Sequence, residues 1–370
     1  MAPPIPILLM IRELGLGGTE RQLSAVARSL DPSKYAVHIG CFQDQGLRRQ
    51  ELDQAGIPIV RFPVRSFRSV SLLTGALQMR RYIRQHGIRL VHPFDYPAIV
   101  FGIPVARTCR DVVVVSSQRY HRSLRPGWPH HLQRFTDRLA DAVVVNCEYL
   151  ARHMREDERV PAERVQLCYN GLDLDIFRPL PGPRLPEVAD ASLVIGVVCA
   201  LRPEKDLGTL LTAFARVRNR RAGMKLLIVG DGSCKPELQE QSRTLGIAED
   251  CVFLPASAEV AACLRSIDIF VLPSLSEALS NSLMEAMACG CCAVASQTGG
   301  NVELVAPGRT GWLFEPGNAT ELAHVLESLI ADDARRKDAA AAGRRFIEER
   351  FSFATMARRM EEIYDVLLKP

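Results

Sequence analysis

The segment Ser276-Glu277-Ala278-Leu279-Ser280-Asn281-Ser282-Leu283-Met284-Glu285 stands between two stretches of different character. Before it, Ile269–Leu272 has the length and composition of a buried strand. After it, residues 283–288 are strong helix formers, and Asn281 or Ser282 is a suitable N-cap. The sequence therefore predicts a strand, a loop and a helix, with Glu277 in the loop and Glu285 about one turn into the helix.

On both sides of this segment, short apolar runs alternate with amphipathic stretches, a pattern typical of parallel sheets flanked by helices. Strands are predicted at residues 5–11, 36–41, 57–62, 90–92, 112–116 and 142–146, and again at 193–199, 226–229, 252–254, 269–272 and 292–295. Helices are predicted at residues 19–30, 46–55, 71–86 and 207–220. Four prolines and one glycine between residues 179 and 186 interrupt the pattern and predict an interdomain linker.

This pattern predicts an α/β chain of two Rossmann-like domains that face each other across a cleft. The first domain is expected at residues 1–180 and the second at 181–354, and an amphipathic helix at 355–370 is expected to pack back on the first domain. A chain of 370 residues is long enough for two hydrophobic cores. In open α/β sheets ligands bind outside the carboxyl ends of the strands, so functional residues are expected in the loops that follow strands.

Composition narrows the class of protein. No run of 18 apolar residues predicts a membrane-spanning helix, and residues 1–10 lack the basic start of a signal peptide, so a cytoplasmic protein is expected. Residues 1–180 carry 25 Lys and Arg against 17 Asp and Glu, whereas the rest carries 21 against 25. A basic first half is consistent either with an anionic partner or with a solvated basic face.

The chain contains eleven cysteines, which raises the question of whether they bind a metal or form disulfides. Most of them lie singly inside apolar runs, as Cys41 and Cys199 do. The C-x-x-C at Cys289 and Cys292 lacks a second pair or a nearby histidine that would complete a zinc site. Cysteine is also a small residue that is readily buried, so structural thiols are expected.

Two loops that follow predicted strands carry candidate phosphate ligands. Gly17 and Gly18 lie between the first strand and a helix, where glycines allow close approach and a helix start favours anions. A tight turn without a ligand would have the same composition. Arg202 and Lys205 follow the first strand of the second half and suit a diphosphate leaving group. An exposed basic turn is the alternative.

The two glutamates, Glu277 and Glu285, are separated by seven residues. Amides at the helix start between them are able to hold a phosphate, and carboxylates accept hydrogen bonds from sugar hydroxyls. This arrangement suits a phosphorylated sugar. Glutamates near a helix are also common as plain surface charges, and the spacing alone does not decide between the two interpretations.

The spacing of Glu277 and Glu285 resembles the E-x7-E signature of the family 4 retaining glycosyltransferases, which have the GT-B fold. Other segments resemble that family's motifs in the same order, and together they extend over nearly the whole chain. They are GGTE at 17–20, NGLDLDIFRP at 170–179, Arg202 with Lys205, VGDG at 229–232 and TGGNVE at 298–303.

The resemblance implies an enzyme that moves a hexose or N-acetylhexosamine from a nucleotide diphosphate sugar to a glycan or lipid-linked acceptor. Configuration would be retained by attack on the same face as the departing phosphate, and that phosphate would accept the acceptor's proton. A UDP-sugar is expected in preference to a GDP-sugar. A nucleotide-sugar-binding subunit without catalysis, and an epimerase or phosphorylase of the same fold, are the alternatives.

The resemblance also implies roles for single residues. Arg202 and Lys205 would neutralise the donor diphosphate, Glu277 would contact the hydroxyls of the transferred sugar, and Glu285 would hold the ribose. The remaining donor contacts would come from Gly17, Gly18, Gly230, Ser257, Leu279, Ser280, Asn281, Ser282 and Leu283.

The chain departs from the family pattern at two positions. Ala278 stands where the family usually has glycine, and Gln118 stands where members often have a catalytic histidine, with His121 close by. Gln118 is able to donate a hydrogen bond to a sugar hydroxyl but carries no charge. Asp173 and Asp175 form a D-x-D, which binds a divalent metal in another glycosyltransferase fold, but they lie at the entry to the linker. Neither a catalytic metal nor a cofactor is expected.

Basic and aromatic residues of the first half indicate an acceptor on a membrane. Residues 119–138 include five arginines and three histidines beside Leu124 and Trp128, and Phe67 precedes a basic segment that includes Arg80, Arg81 and Arg84. Such a surface suits anionic lipid at the inner face of the cytoplasmic membrane. Nothing in the chain resembles the basic and aromatic platform of a nucleic-acid-binding module, so no nucleic-acid partner is expected.

Overall fold

The computed structural model describes residues 3–122 and 127–369. The chain forms two compact units. The first unit comprises the chain up to Gly171 and the chain from Phe353 onward, and the second unit is Leu172–Ser352.

The first unit has a parallel sheet whose order among the described residues is β3-β2-β1-β4-β5-β6-β7. Its strands are β1 (Ile5–Glu13), β2 (Tyr35–Gln43), β3 (Ile59–Arg61), β4 (Leu90–Pro93), β5 (Val113–Gln118), β6 (Ala142–Val145) and β7 (Val165–Leu167). The connecting helices are α1 (Gly18–Ser29), α2 (Leu47–Gln54), α3 (Ser71–Gln85), α4 (Tyr96–Arg107), α5 (Trp128–Arg138) and α6 (Glu148–Glu156).

Both faces of this sheet are covered by core residues, as the alternation of side chains along β1 shows. Ile7, Leu9 and Ile11 pack into one core cluster, and Leu8 and Met10 pack into another. All five side chains are completely buried. A strand that is apolar at every position is typical of a parallel sheet with helices on both faces.

The second unit has a parallel sheet of order β10-β9-β8-β11-β12-β13 in the described part of the chain. Its strands are β8 (Leu193–Val198), β9 (Met224–Val229), β10 (Cys251–Leu254), β11 (Ile269–Leu272), β12 (Cys292–Ser296) and β13 (Trp312–Phe314). Its helices are α7 (Leu207–Val217), α8 (Lys235–Thr244), α9 (Val260–Arg265), α10 (Asn281–Ala288), α11 (Asn301–Leu304), α12 (Ala319–Ala331) and α13 (Asp333–Arg350).

These two sheets confirm the predicted α/β class with two Rossmann-like domains, and each predicted strand has a counterpart. The sequence did not predict β7 and β13, which have three residues each. Among the described residues, no helix combines the length and the apolar character that crossing a bilayer requires.

The last helix, α14 (Phe353–Leu368), belongs to the first unit. Met356, Met360 and Tyr364 are buried in the same core cluster as β1 and β2. The Tyr364 hydroxyl lies 2.6 Å from Nδ1 of His92, a fully buried residue of β4. An apolar face with one hydrogen-bonded tyrosine thus attaches the helix to the sheet.

The division between the units falls at Gly171, ahead of the predicted linker at residues 179–186. Leu172 donates its amide to the Phe351 carbonyl at 2.7 Å, and Phe177 is 7% exposed, so both are already fixed in the second unit. The prolines do not separate two bodies but run along the second unit, where Arg184 forms an ion pair with Asp268 at 2.8 Å. The predicted boundary at residue 180 therefore lies on the carboxyl side of the observed division at Gly171.

Candidate functional site

The loops that follow β8, β9, β11 and β12 lie at one edge of the second sheet. These strands are neighbours and parallel, so their carboxyl ends meet there. Backbone hydrogen bonds join the loops: the Leu201 amide donates to Asp231 at 3.0 Å, and the Leu275 amide donates to Glu204 at 2.9 Å. The structure thus brings together loops that are far apart in sequence.

Lys205 and Glu277 are in direct contact at this edge. Nζ of Lys205 donates to Oε1 of Glu277, and Oγ of Ser274 donates to the same oxygen at 2.9 Å. The two charged side chains are 18% and 11% exposed. Desolvation lowers the pKa of Lys205, but the charge and hydrogen bond of Glu277 outweigh it and raise that pKa above its ordinary value. Lys205 is therefore charged at neutral pH.

Arg202 lies differently from Lys205. Its side chain is 66% exposed, and its guanidinium lies 4.0 Å from the carboxylate of Glu204. An exposed pair at this distance is weak, so a bound anion is able to replace it at low cost. The predicted pair of cations thus consists of one ion-paired lysine and one solvent-facing arginine.

Glycines allow main chain to pack on main chain at this edge. Gly299 has φ +51°, and a Cβ built on it would overlap the carbonyl oxygen of Glu277. Next to it, the Gly300 amide donates to the Ala278 carbonyl at 2.6 Å. Gly230 has φ +149°, and a Cβ there would overlap the carbonyl oxygen of Cys199. Only glycine satisfies both the backbone angle and the close approach at Gly299 and Gly230.

The helix α10 begins one residue earlier than predicted. Ser280 is the N-cap, with an extended backbone, and its Oγ accepts a hydrogen bond from the Leu283 amide at 3.3 Å. Asn281 and Ser282 are therefore in the first turn and not caps, since the serine hydroxyl that satisfies a first-turn amide belongs to residue 280. Glu285 lies in the next turn and is 3% exposed.

The other predicted donor contacts of the second unit lie close to the same edge. Leu279 and Leu283 are buried. Ser257 follows β10, and its Oγ accepts from the Glu259 amide at 3.0 Å. That loop is held to the loop after β9 by a hydrogen bond from the Ala256 amide to the Asp231 carboxylate at 2.8 Å.

In the first unit, the predicted glycines lie at the start of α1. Gly17 is the N-cap and Gly18 is the first helical residue. A Cβ on Gly17 would overlap the carboxylate of Glu20, so this side chain folds back over the loop. Burial raises the pKa of Glu20. An anion is able to bind at this helix start only if the Glu20 carboxylate moves away or is protonated.

Gln118 is completely buried, and both ends of its amide have protein partners. Oε1 accepts from Gln133 at 2.8 Å, and Nε2 donates to the Tyr120 carbonyl. The Tyr120 hydroxyl in turn donates to Gln133 at 2.6 Å. A contact between Gln118 and a sugar hydroxyl would require this closed network to open.

Two charged residues lie at the carboxyl edge of the first sheet: sequence reasoning missed Asp95 and included Arg119 only in the basic stretch 119–138. Asp95 follows β4 and accepts from the amides of Ala98 and Arg12, each at 3.1 Å, and burial raises its pKa to about 6. Arg119 follows β5 and donates to Asn170 at 2.8 Å, and burial lowers its pKa to about 10. The Asp95-Tyr96-Pro97 sequence was an available signal, because Asp before an early proline is typical of a helix start.

The D-x-D has a local structural role. Oδ1 of Asp173 accepts from the amides of Asp175 and Ile176 at 3.1 and 3.2 Å, so this carboxylate closes a turn. Among the thiols, Cys289 and Cys292 are buried, and burial raises the pKa of each to about 12. Thiols with such a pKa are protonated at neutral pH.

Two family models match the chain. The model for Glycosyltransferase Family 4 matches residues 16–176, and the model for Glycosyl transferases group 1 matches residues 186–346. The chain belongs to these glycosyltransferases. The predicted family and enzyme class are thereby confirmed, and the second match includes the whole edge with Lys205 and Glu277.

Named relatives of this glycosyltransferase are bacterial. It is 28% identical over 327 residues to a GDP-mannose-dependent alpha-(1-6)-phosphatidylinositol monomannoside mannosyltransferase of Mycobacterium tuberculosis, which is 83% of each chain. It is 28% identical over 299 residues to the putative glycosyltransferase EpsF of Bacillus subtilis, 77% of each chain. A D-inositol 3-phosphate glycosyltransferase of Stackebrandtia nassauensis is 32% identical over 216 residues, which is 55% of this chain and 49% of that relative.

Solved structures share the fold of this glycosyltransferase. Anabaena Alr3699/HepE in complex with UDP and glucose superimposes with a TM-score of 0.86 at 22% identity, over 98% of this chain and 100% of that one. WaaG, a glycosyltransferase involved in lipopolysaccharide biosynthesis, superimposes with a TM-score of 0.76 at 14% identity. At these identities the likeness concerns the GT-B fold.

Proposed function

We propose that this glycosyltransferase moves a hexose or N-acetylhexosamine from a nucleotide diphosphate sugar to a glycan or lipid-linked acceptor, with retention of configuration. The contact of Lys205 with Glu277 beside the start of α10 carries this proposal. A diphosphate requires cations and amides, and a sugar hydroxyl requires a carboxylate. All three kinds of group lie together at this edge of the second sheet.

In the proposed complex, Arg202 and Lys205 compensate the charge that develops on the departing diphosphate. Glu277, released from Lys205, accepts hydrogen bonds from the transferred sugar. The first-turn amides of Asn281 and Ser282 face the phosphate, because the start of a helix has amides without intrahelical partners. Glu285 holds the ribose hydroxyls, and Ser257 and Gly230 border the base.

The transfer breaks the bond between the anomeric carbon and the phosphate oxygen and forms a bond from the same carbon to the acceptor oxygen on the same face. The acceptor's proton moves to the departing phosphate. This step needs no separate general base, which agrees with the neutral amide at Gln118. It also needs no metal, because two cationic side chains lie at the diphosphate.

A UDP-sugar is the proposed donor. The Anabaena neighbour has structures with UDP and with UDP-glucose, whereas the mycobacterial relative is named for GDP-mannose. A titration with both nucleotides decides between them.

The double substitution Arg202→Ala and Lys205→Ala is expected to weaken UDP binding about a hundredfold, because two charge-assisted contacts to the diphosphate are lost. Isothermal titration calorimetry measures the affinity. The matched control is Arg218→Ala with Lys225→Ala, which also removes one arginine and one lysine of the second unit, both near Asp250. Equal affinity of the two double variants would refute the diphosphate role.

The closed network at Gln118 favours a second candidate, a subunit that binds nucleotide sugar without transferring it. Gln118, Gln133 and Tyr120 hydrogen-bond to one another, so the Gln118 amide is engaged inside the unit and is not available to position an acceptor. Transfer of radiolabelled sugar from the donor to a panel of glycan and lipid acceptors separates the two candidates. Turnover by the purified enzyme excludes the binding subunit.

Peripheral association with an anionic membrane is proposed for the first unit. Phe67 and Trp128 are 40% and 65% exposed, and α3 begins with an exposed apolar stripe of Val70, Leu73 and Leu77 that the sequence analysis did not single out. Leu124, which was also expected there, lies outside the described residues. Apolar side chains beside arginines suit the surface of anionic lipid.

The membrane proposal predicts that the protein cosediments with vesicles of phosphatidylglycerol and far less with vesicles of phosphatidylcholine. Replacing Leu73 and Leu77 by serine is expected to lower the recovery with anionic vesicles several-fold, since each removes exposed apolar area. Ala76→Ser on the same helix is the control for helix propensity. Equal recovery of the wild-type protein with phosphatidylglycerol and phosphatidylcholine vesicles would contradict the proposal.

A further inference from the structure

A cavity of about 560 Å³ lies at the amino edge of the first sheet, where β4 and β5 begin. Its walls come from the second half of α3, the segment before β4 and the loop between α4 and β5. Four arginines line it, namely Arg80, Arg84, Arg89 and Arg110. Its volume is in the range of small-molecule sites, and its position is at the opposite edge of the sheet from the loops where α/β folds bind substrate.

The four guanidinium groups lack acidic partners. Across residues 3–122 and 127–369, none of the four forms an ion pair with a carboxylate. Nε of Arg80 is in addition buried without a hydrogen-bond partner in that part of the chain. The neighbouring Arg107, in contrast, forms an ion pair with Asp141 at 2.7 Å. Arg84, Arg89 and Arg110 are exposed and Arg80 is half-buried, so an anion from solvent is able to reach these guanidinium groups without first breaking an ion pair.

The charge balance of the cavity is positive. Asp111 is the carboxylate in its lining, and the C-terminal ends of α3 and α4 each contribute about half a negative charge. Four arginines outweigh these contributions by about two positive charges. Proximity to a helix C-terminus accounts for Arg84, in the last turn of α3, and for Arg110, just beyond α4, but not for Arg80, which lies a turn earlier, or Arg89, which precedes a strand.

We propose that this cavity binds a phosphate group, presented as a phosphate ester or a diphosphate, at a site separate from the donor site of the second unit. Guanidinium groups bind phosphate with paired hydrogen bonds, and several of them around one concave surface match the several oxygens of a phosphate. The phosphate belongs to a phospholipid headgroup or to a soluble ester. The exposed Leu73 and Leu77 are on the same helix as Arg80 and Arg84, and the exposed Val70 is its N-cap.

The test uses pyrophosphate as the probe and the full-length Arg202→Ala, Lys205→Ala variant as the background, so that the donor-site cations do not contribute. Isothermal titration calorimetry is expected to detect one pyrophosphate site. Arg84→Gln in this background is expected to weaken binding about tenfold, the effect of one charge-assisted contact. Arg81→Gln is the matched control, because Arg81 is an exposed arginine of the same helix that does not line the cavity. It is expected to change the affinity less than about twofold.

Two measurements, pyrophosphate affinity and recovery with vesicles, separate the sources of the phosphate. If Arg84→Gln with Arg110→Gln lowers both pyrophosphate affinity and recovery with phosphatidylglycerol vesicles, the cavity holds a headgroup. If it lowers only pyrophosphate affinity, the cavity holds a soluble ester. The proposal is overturned if Arg84→Gln binds pyrophosphate as tightly as its background, or if Arg81→Gln weakens binding equally, which would show a general effect of surface charge. Unchanged thermal unfolding verifies that the variants are folded.

Discussion

Glu277→Ala is expected to lower kcat/KM for sugar transfer by about a hundredfold or more. The substitution removes the carboxylate that accepts from Lys205 and Ser274 and that is proposed to bind the transferred sugar. It also leaves the ammonium group of Lys205, 18% exposed, without its partner. An unpaired and largely desolvated cation is unfavourable, so the pKa of Lys205 should fall.

Steady-state transfer at several donor concentrations measures this effect. Ser274→Ala is a graded comparison, since it removes one hydrogen bond to the same carboxylate oxygen and should cost only about fivefold. Glu259→Ala, in an exposed loop of the same unit, controls for the loss of one acidic charge. A Glu277→Ala enzyme that transfers sugar at the wild-type rate would remove the catalytic assignment.

Gly299→Ala is expected to destabilise the second unit by about 2–5 kcal/mol and to abolish most transfer activity. The left-handed backbone of residue 299 disfavours any side chain, and the new methyl group would overlap the carbonyl oxygen of Glu277. Because that carbonyl is backbone, the loop that carries Glu277 has to move. The side chain of Glu277 would then lose its position beside Lys205.

Gly308→Ala separates the effect of the left-handed backbone from the effect of the overlap with the Glu277 carbonyl. Gly308 has φ +72° and therefore also disfavours a side chain, but a Cβ there meets open space. It should cost about 1–2 kcal/mol and leave transfer unchanged. Thermal unfolding by circular dichroism and the transfer assay are measured on both variants. Equal losses of activity in the two variants would contradict the role of the overlap with Glu277.

Local chemistry of the loops was predictable from sequence, and the contacts between distant loops were not. Glycine content, helix formers and charge located the segments around Lys205 and Glu277 after their strands. The ion pair between them depends on β8 lying next to β11, although the two residues are 72 positions apart. Strand order arises from how helices pack on the sheet, and no local pattern encodes it.

Smaller differences between the sequence-based predictions and the structure also have physical causes. Ser280, Asn281 and Ser282 are all good N-caps by residue type, and only the backbone of Ser280 decides which one caps α10. Gln118 ends an apolar strand and stands where the family often has a catalytic histidine, and its contact with Gln133, fifteen residues later on α5, follows from tertiary packing that no local pattern encodes. The boundary at Gly171 was missed because prolines indicate where regular structure is interrupted and not where contacts between units end.

The ion pair of Lys205 with Glu277 also bears on which anions the proposed donor site would accept. Before a donor arrives, the lysine charge is already neutralised inside the protein. Inorganic phosphate would have to separate the pair and leave the carboxylate without a partner, whereas a nucleotide sugar brings hydroxyls that satisfy it. At the proposed donor site, the pair would therefore favour a ligand that brings phosphate and sugar together over inorganic phosphate alone.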